Sequence, residues 1–417
     1  MRASAALRLS NLEGLVAEAE RRGASPYSDR LVPAAETVAR MKPFMREFGV
    51  TRLARVTGLD SVGIPVWSAI RPNSKTLAQS QGKGIDDPSA QASALMEAIE
   101  VATAERSDFD AVRASPWQLS QSGVAFDRLD CLLRRGGAPI GEHEPVDWLE
   151  GFDIAQDRPT LVPFEAATLW DAEVRPRYWQ STDGLASGNT LWEAAFHGLC
   201  ERVERDAMAL WLLRSDEDIV ARCVDPASFA DPALDGLCRA IAKAGLQMRL
   251  FDASCDSETP VFAAFLSPPA EGFEDHWKHF DLSMGSGCHP TPLRAALRAV
   301  TEAAQTRVTT ISAARDDFDP AQYNERLDPS LLIYPRTQPR LRRELADDEP
   351  VGREAYLSAM IGRLGRVGAA SVIVVPFEPG DRGFAVARVF VPDLENPSGD
   401  RRERFGRRAM RFVESRA

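Results

Sequence analysis

Asp87-Pro-Ser-Ala-Gln-Ala-Ser-Ala-Leu-Met-Glu-Ala-Ile-Glu100 reads as the opening of a helix, with Asp87 as the N-cap and proline at the first helical position. Ser93, Glu97 and Glu100 stand at i, i+4 and i+7, which places them on one face. Around the two carboxylates crowd Ala92, Ala94, Leu95, Met96, Ala98 and Ile99. A helix that is apolar on most sides is buried, and a buried carboxylate requires a metal, a cationic partner or a proton. The stretch therefore predicts chemistry as well as fold.

The pattern occurs twice more. Glycine-containing turns, Gly82-Lys-Gly84, Ser187-Gly-Asn189 and Gly285-Ser-Gly287, precede three helices of the same kind. The second helix carries His197, Glu201 and Glu204, and the third Arg298, Glu302 and Gln305. Their central glutamates lie roughly a hundred residues apart, so the chain reads as three related α/β units.

Glutamates at i and i+3 repel one another, and a cation between them removes the repulsion. Two acidic pairs, Glu97/Glu100 and Glu201/Glu204, facing each other form an oxygen-lined cage for hard magnesium ions, with phosphate oxygens completing the shells. The third helix supplies donors where the others supply acceptors. Arg298 and Arg307 offer forks to phosphate, and Gln305 offers an amide to a nucleobase or ribose edge. Lys83, in its glycine turn, is a further phosphate candidate. Neither a Gly-x4-Gly-Lys-[Ser/Thr] loop nor a kinase-type glycine-rich signature occurs in the sequence, so such a nucleotide site belongs to neither class.

Outward from these helices the pattern is mixed α/β. The first 48 residues read as a helical appendage, residues 49–395 as the main α/β domain, and 396–417 as a tail with seven arginines that reads as a solvated helix. Strands are predicted over Ile64–Ile70, Leu161–Leu169, Leu246–Asp252, Val261–Leu266, Ser371–Val375 and Phe384–Val391. Helices are predicted over Ser89–Arg106, Leu191–Leu213, Asp235–Ala244, Pro292–Ala314 and Arg353–Leu364.

With 417 residues, 44% of them hydrophobic, the chain can bury a substantial core. A formal charge of -11 argues against a nucleic-acid partner, because a polyanion selects a basic face. No apolar run approaches the roughly 20 residues of a membrane span, and the start lacks a signal-peptide core. Six scattered cysteines show no zinc or disulfide spacing, and His276 and His279 read as a polar surface segment. A cytoplasmic protein is expected.

The sequence resembles the YcaO superfamily. The resemblance rests on Gly82-Lys-Gly84 followed by Ser93-Ala-Leu-Met-Glu-Ala-Ile-Glu100, on Leu199-Cys-Glu-Arg-Val-Glu-Arg-Asp-Ala207, and on Gly285-Ser-Gly-Cys-His-Pro290 leading to Arg298-Ala-Val-Thr-Glu-Ala-Ala-Gln-Thr-Arg307. Asp60-Ser-Val-Gly-Ile-Pro-Val66 is similar to the family's first strand. The resemblance implies a YcaO-like fold and ATP held through Mg2+, with Ser93, Glu97, Glu100, Glu201, Glu204, Gln305 and Arg307 at the positions of the family's ligands. It also implies phosphoryl transfer from ATP to a peptide amide oxygen, which becomes a good leaving group as phosphate.

The family's azoline-forming members usually end in a proline-rich tail, whereas this sequence ends Arg411-Phe-Val-Glu-Ser-Arg-Ala417. That ending and Val391-Pro-Asp-Leu394 resemble the group that works with a separate TfuA protein in thioamide formation. The expectation is thioamidation of a peptide or protein substrate by a homodimer with a TfuA-like partner. Azoline formation and a non-catalytic ATP-binding scaffold are the alternatives. Cys288, beside His289, is read as a steric substitute rather than a reactive thiol.

Overall fold

Long helices form where the apolar periodicity is densest, and each strand pairs antiparallel with its neighbours. The structure, a computed structural model, describes residues 7–19, 27–170, 176–270, 276–313, 315, 319–340, 352–396 and 405–415. In chain order its helices are α1 (Leu9–Ala19), α2 (Ala34–Met41), α3 (Asp87–Ala104), α4 (Pro116–Gln121), α5 (Phe164–Ala167) and α6 (Leu191–Trp211). There follow α7 (Asp216–Ala221), α8 (Pro232–Lys243), α9 (Pro292–Ser312), α10 (Ile333–Arg336), α11 (Tyr356–Arg366) and α12 (Arg407–Glu414).

The first sheet orders β1 (Arg52–Arg55), β2 (Val66–Ile70) and β3 (Gln79–Lys83). The second contains β4 (Val112–Ala114), β5 (Val146–Asp153), β6 (Arg158–Pro163) and β7 (Leu185–Gly188), joined by β12 (Ile373–Pro379) and β13 (Ala385–Phe390). Its order is β4-β5-β12-β13-β7, with β6 paired to β5. The third orders β11 (Ser283–Cys288), β10 (Val261–Ser267), β9 (Gln247–Asp252) and β8 (Cys223–Val224). Strand registers include Val66 opposite Lys83, Ala385 opposite Gly188 and Val261 opposite Cys288.

The three glycine stretches read as turns are instead strand. Gly82 lies in β3, Gly188 ends β7, and Gly285 and Gly287 lie in β11. Each is an edge strand pressed onto the helix that follows it, and there is no room for a side chain. A Cβ on Gly82 would overlap the backbone of Ala90 and Ala94; one on Gly285 would overlap that of Ala299 and Ala303. At Gly188 the obstacle is the Glu193 side chain. Close approach of strand to helix, rather than a bend, is what glycine provides here.

These three strand–helix pairs, β3-α3, β7-α6 and β11-α9, are the predicted repeats, and they close on one another. Helix α3 also packs on β7, α6 on β11, and α9 on β3. Hydrogen bonds follow the same cycle: Ser187 Oγ of β7 donates to Glu100 Oε1 of α3 at 2.5 Å, and Ser286 Oγ of β11 to Glu204 Oε1 of α6 at 2.6 Å. Gln305 Nε2 of α9 donates to the Gln81 carbonyl of β3 at 2.8 Å. The polar i+7 position of each helix thus fixes the next unit.

Helix starts follow capping chemistry. Asp86 rather than Asp87 is the N-cap of α3, its carboxylate accepting from Ser89 N at 2.8 Å. Asp87 instead accepts from Arg55 Nε at 2.7 Å and Trp67 Nε1 at 2.8 Å, which ties the helix start to the first sheet. The predicted strand at Leu161–Leu169 stops at Pro163, where the chain turns into α5. In the C-terminal tail, α12 is mostly exposed and buries Ala409; residues 397–404 and 416–417 lie outside the described residues. No helix among the described residues is long and apolar enough to cross a membrane.

Candidate functional site

Helices α3, α6 and α9 enclose a cavity of about 1170 Å3. Eight of the nine residues predicted for the site line it: Lys83, Ser93, Glu97, Glu100, Glu201, Glu204, Arg298 and Gln305. Arg307 is not among them. Its Nε bonds to both oxygens of Asp60, at 3.1 and 3.0 Å, two residues along α9 from Gln305 and therefore on a different face of the helix.

The cations at the cavity are distributed unevenly over the carboxylates. Lys83 Nζ pairs with Glu302, so that lysine meets a helix of the third unit. Arg205 lies 3.3 Å from Glu201 Oε1 and 3.1 Å from Asp183 Oδ1, while Gly184 N donates to Glu201 Oε2 at 3.2 Å. Glu204 receives the Ser286 hydroxyl and the Cys288 N–H, the latter at 3.0 Å, and Glu100 receives the Ser187 hydroxyl. Glu97 makes no hydrogen bond or ion pair among the described residues.

Electrostatics follow from this distribution. Burial pushes the Glu97 carboxyl up to about 7, against the pull of Lys83 and Arg315. It pushes Glu100 to about 8, with Glu97 adding repulsion that the Ser187 hydrogen bond opposes. Glu201 is pushed to about 7 by burial, against the pull of Arg205, and burial and Glu302 raise Glu204. Glu302 goes the other way: burial is outweighed by Lys83 and Arg205, which keep it ionised.

A second cluster borders the cavity through Asp29, Arg30, His197 and Arg298, and of these only Arg298 has a role in the sequence reading. Asp29 Oδ2 lies 3.1 Å from His197 Nε2 and 3.9 Å from His289 Nε2. Arg298 Nη2 meets His197 Nδ1 at 2.6 Å, and Thr291 N donates to His289 Nδ1 at 2.8 Å. Because arginine and a backbone N–H only donate, both imidazoles carry their proton on Nε2, facing Asp29. Burial would raise the Asp29 carboxyl, but His197, His289, Arg298 and Arg30 outweigh it and hold it well below the usual carboxylate range. Burial, with Arg30, keeps His197 neutral. Arg30 Nη1 reaches Glu193 Oε2 at 3.1 Å and the Ser187 carbonyl at 2.8 Å, and Leu31 N donates to Glu193 Oε1 at 2.8 Å. The segment before α2 is thereby fastened to the start of α6.

Cys288 is buried on β11, and burial, with Cys200 beside it, raises its thiol well above the ordinary value. That is the environment of a packing residue, since the thiolate is the reactive form. His276 and His279 are both exposed, as the sequence predicts for a surface segment, and His279 stands at the cavity rim.

The donor set fits magnesium. Of the seven carboxylates lining the cavity, four, Glu97, Glu100, Glu201 and Glu204, have their charged form disfavoured by desolvation when no metal is present. Hard oxygen donors suit Mg2+, which binds through one or two carboxylates and keeps waters or phosphate oxygens for its remaining positions. No group of three His, Cys, Asp or Glu among the described residues is placed to hold a metal alone.

A family model described as YcaO cyclodehydratase, ATP- and Mg2+-binding, matches residues 81–395, which include α3, α6 and α9. An uncharacterised protein from the tfuA 3′ region of Rhizobium leguminosarum bv. trifolii is 39% identical over 421 residues, covering 97% of this chain and 98% of the relative. Among solved structures, YcaO from Methanopyrus kandleri, bound with AMPPCP and Mg2+, superposes with a TM-score of 0.66 at 23% identity, covering 89% of this chain and 94% of that one. A heterocyclase in complex with substrate and cofactor gives 0.70 at 21% identity, covering 88% of this chain and 53% of that one. The chain therefore spans about half of that heterocyclase, and both likenesses are of fold.

Proposed function

Because the chain belongs to the YcaO family, we propose that it uses Mg2+ and ATP to activate a peptide-backbone amide, and that the product is a thioamide made with a TfuA-like partner. The observation that carries the first part is a set of carboxylates lining one cavity, Glu97, Glu100 and Glu201 half-buried and Glu204 buried, each with its charged form disfavoured by desolvation. In this reading they hold Mg2+, which when bound neutralises the triphosphate and favours phosphoryl transfer.

The remaining roles follow from position. Ser93 and Gln305 contact the nucleotide, Lys83 and Arg298 its phosphates, and Arg307 supports the site through Asp60. Glu302 fixes Lys83, and Arg205 steadies Glu201. Hydrosulfide adds to the amide carbon, and the resulting alkoxide takes the γ-phosphoryl group as ADP leaves. Phosphate then departs with the former carbonyl oxygen, a proton is lost, and the carbon–sulfur double bond remains.

Support for the thioamide is the relative from the tfuA region, and a homodimer with a peptide or protein substrate belongs to the same reading. A second reading, azoline formation, is favoured by the family model's description and by the likeness to a heterocyclase. Mass spectrometry of a candidate peptide incubated with protein, Mg2+, ATP, sulfide and the TfuA-like protein separates them. Replacement of one oxygen by sulfur supports the thioamide; loss of one water supports the azoline. An unchanged peptide mass, with ATP intact, counts against amide activation.

A further inference from the structure

A second cavity, of about 630 Å3, opens where α12 lies against the C-terminal end of α6, and five arginines line it: Arg214, Arg222, Arg407, Arg408 and Arg411. Against them the lining holds two carboxylates, Asp256 and Asp393. In a chain of formal charge -11, a surface where arginines outnumber the lining carboxylates is a local departure.

The five arginines divide into two groups. Three are built into the fold. Arg408 Nε holds Asp206 at 2.8 Å, and Arg214 and Arg222 share Asp218 at 2.5 and 3.0 Å. Arg214 also lies 5.4 Å from the centre of the Phe412 ring, so α12 is pinned to α6 by charge and by an aromatic face. Glu395 completes the attachment, accepting from Gly406 N at 3.0 Å and Ala409 N at 2.9 Å at the start of α12. The other two, Arg407 and Arg411, are exposed, and their side chains make no hydrogen bond or ion pair among the described residues. They stand at i and i+4 on one face, where like charges repel.

The cavity is not suited to a bare anion alone. Leu210, Val367 and Phe412 give it apolar surface, and Met410 and Val413 are exposed beside the two unpaired arginines. Apolar residues in contact with an arginine pair match a segment that alternates carboxylates with apolar anchors. We propose that this cleft is the docking site for an acidic, apolar-anchored segment of a partner protein, with Arg407 and Arg411 as its charge-recognition residues. The segment would seat against α6, which also carries Glu201 and Glu204 on its earlier turns. The proposal does not depend on the reaction assigned to the first cavity.

The test uses the full-length protein and a fluorescein-labelled synthetic peptide of alternating Glu and Leu, followed by anisotropy. Wild type should bind it saturably. Arg407→Glu/Arg411→Glu should bind about tenfold more weakly, and Arg407→Gln/Arg411→Gln should fall between. A Glu/Ser peptide should bind more weakly than the Glu/Leu peptide, and inorganic phosphate should not displace the latter. Both substituted residues are exposed, so melting curves and ATP turnover without peptide should match wild type. Equal binding by the double charge reversal overturns the proposal. So does displacement by phosphate together with equal binding of the Glu/Ser peptide, which would mark a simple anion site.

Discussion

Replacing Glu97 by glutamine tests the electrostatics of the first cavity, because it keeps the shape of the side chain and removes its charge. Burial moves the Glu97 carboxyl from 4.5 to about 7 in the folded chain. At about 1.4 kcal/mol per pH unit, ionising it there costs about 3 kcal/mol more than in the unfolded chain. Water entering the open side of the cavity reduces this, so the working figure is on the order of 1–3 kcal/mol. The sign is fixed by linkage. A carboxyl whose folded value is raised penalises the fold as pH climbs past 4.5, and the penalty levels off above about 7.

Without metal or nucleotide, Glu97→Gln should therefore be as stable as wild type near the lower value and more stable by on the order of 1–3 kcal/mol above the higher one. Urea unfolding at a series of pH values measures this. Adding Mg2+ with a non-hydrolysable ATP analogue should reverse the order, stabilising wild type far more than the variant. A variant less stable than wild type in alkaline buffer, or a stability difference that does not change with pH, refutes the reasoning.

Three other outcomes follow from the same geometry. Affinity for Mg2+ with the ATP analogue, measured by calorimetry, should rise with pH and level off above about 8. The metal displaces protons from Glu97, Glu100 and Glu201, whose values are about 7, 8 and 7, so acid competes with it. Gly285→Ala should destabilise the fold by about 3 kcal/mol or more in thermal melts, since the added methyl overlaps backbone of α9 that cannot move aside. Cys288→Ala should keep ATP turnover near wild type, because its thiol is buried and protonated; loss of turnover with the melting temperature unchanged would give the sulfur a chemical role.

The acidic core of the site was legible in the sequence because helical spacing determines which side chains share a face. Ser93, Glu97 and Glu100, like Glu201 and Glu204, needed only that periodicity and their apolar surroundings to be placed together. The strands carrying glycine were misread, since Gly82, Gly188, Gly285 and Gly287 give no β-branched or aromatic signal, and close packing on a helix leaves no local trace. Strand β7, Leu185-Ala-Ser-Gly188, was passed over for the same reason.

Residues recruited from afar were the least visible. Asp29 and Arg30 come from a segment whose sequence signals only helical packing, and they reach the cavity through contacts with Glu193, His197 and Arg298 that no spacing predicts. Arg205, adjacent to Glu204, had a usable signal: a cation beside a buried acidic pair is a ready neutralising partner. Arg307 shows the converse: at i+2 from Gln305 it points to a different face of α9, where a different carboxylate, Asp60, takes it.

The central claim is that the paired glutamates bind the nucleotide through magnesium. Calorimetric titration of a non-hydrolysable ATP analogue into wild type and Glu201→Gln, each with Mg2+ and with EDTA, tests it most directly. The account predicts saturable binding by wild type only when Mg2+ is present, and at least about a hundredfold weaker binding by Glu201→Gln. Equal affinity in the two proteins, or binding by wild type that is indifferent to EDTA, would contradict it.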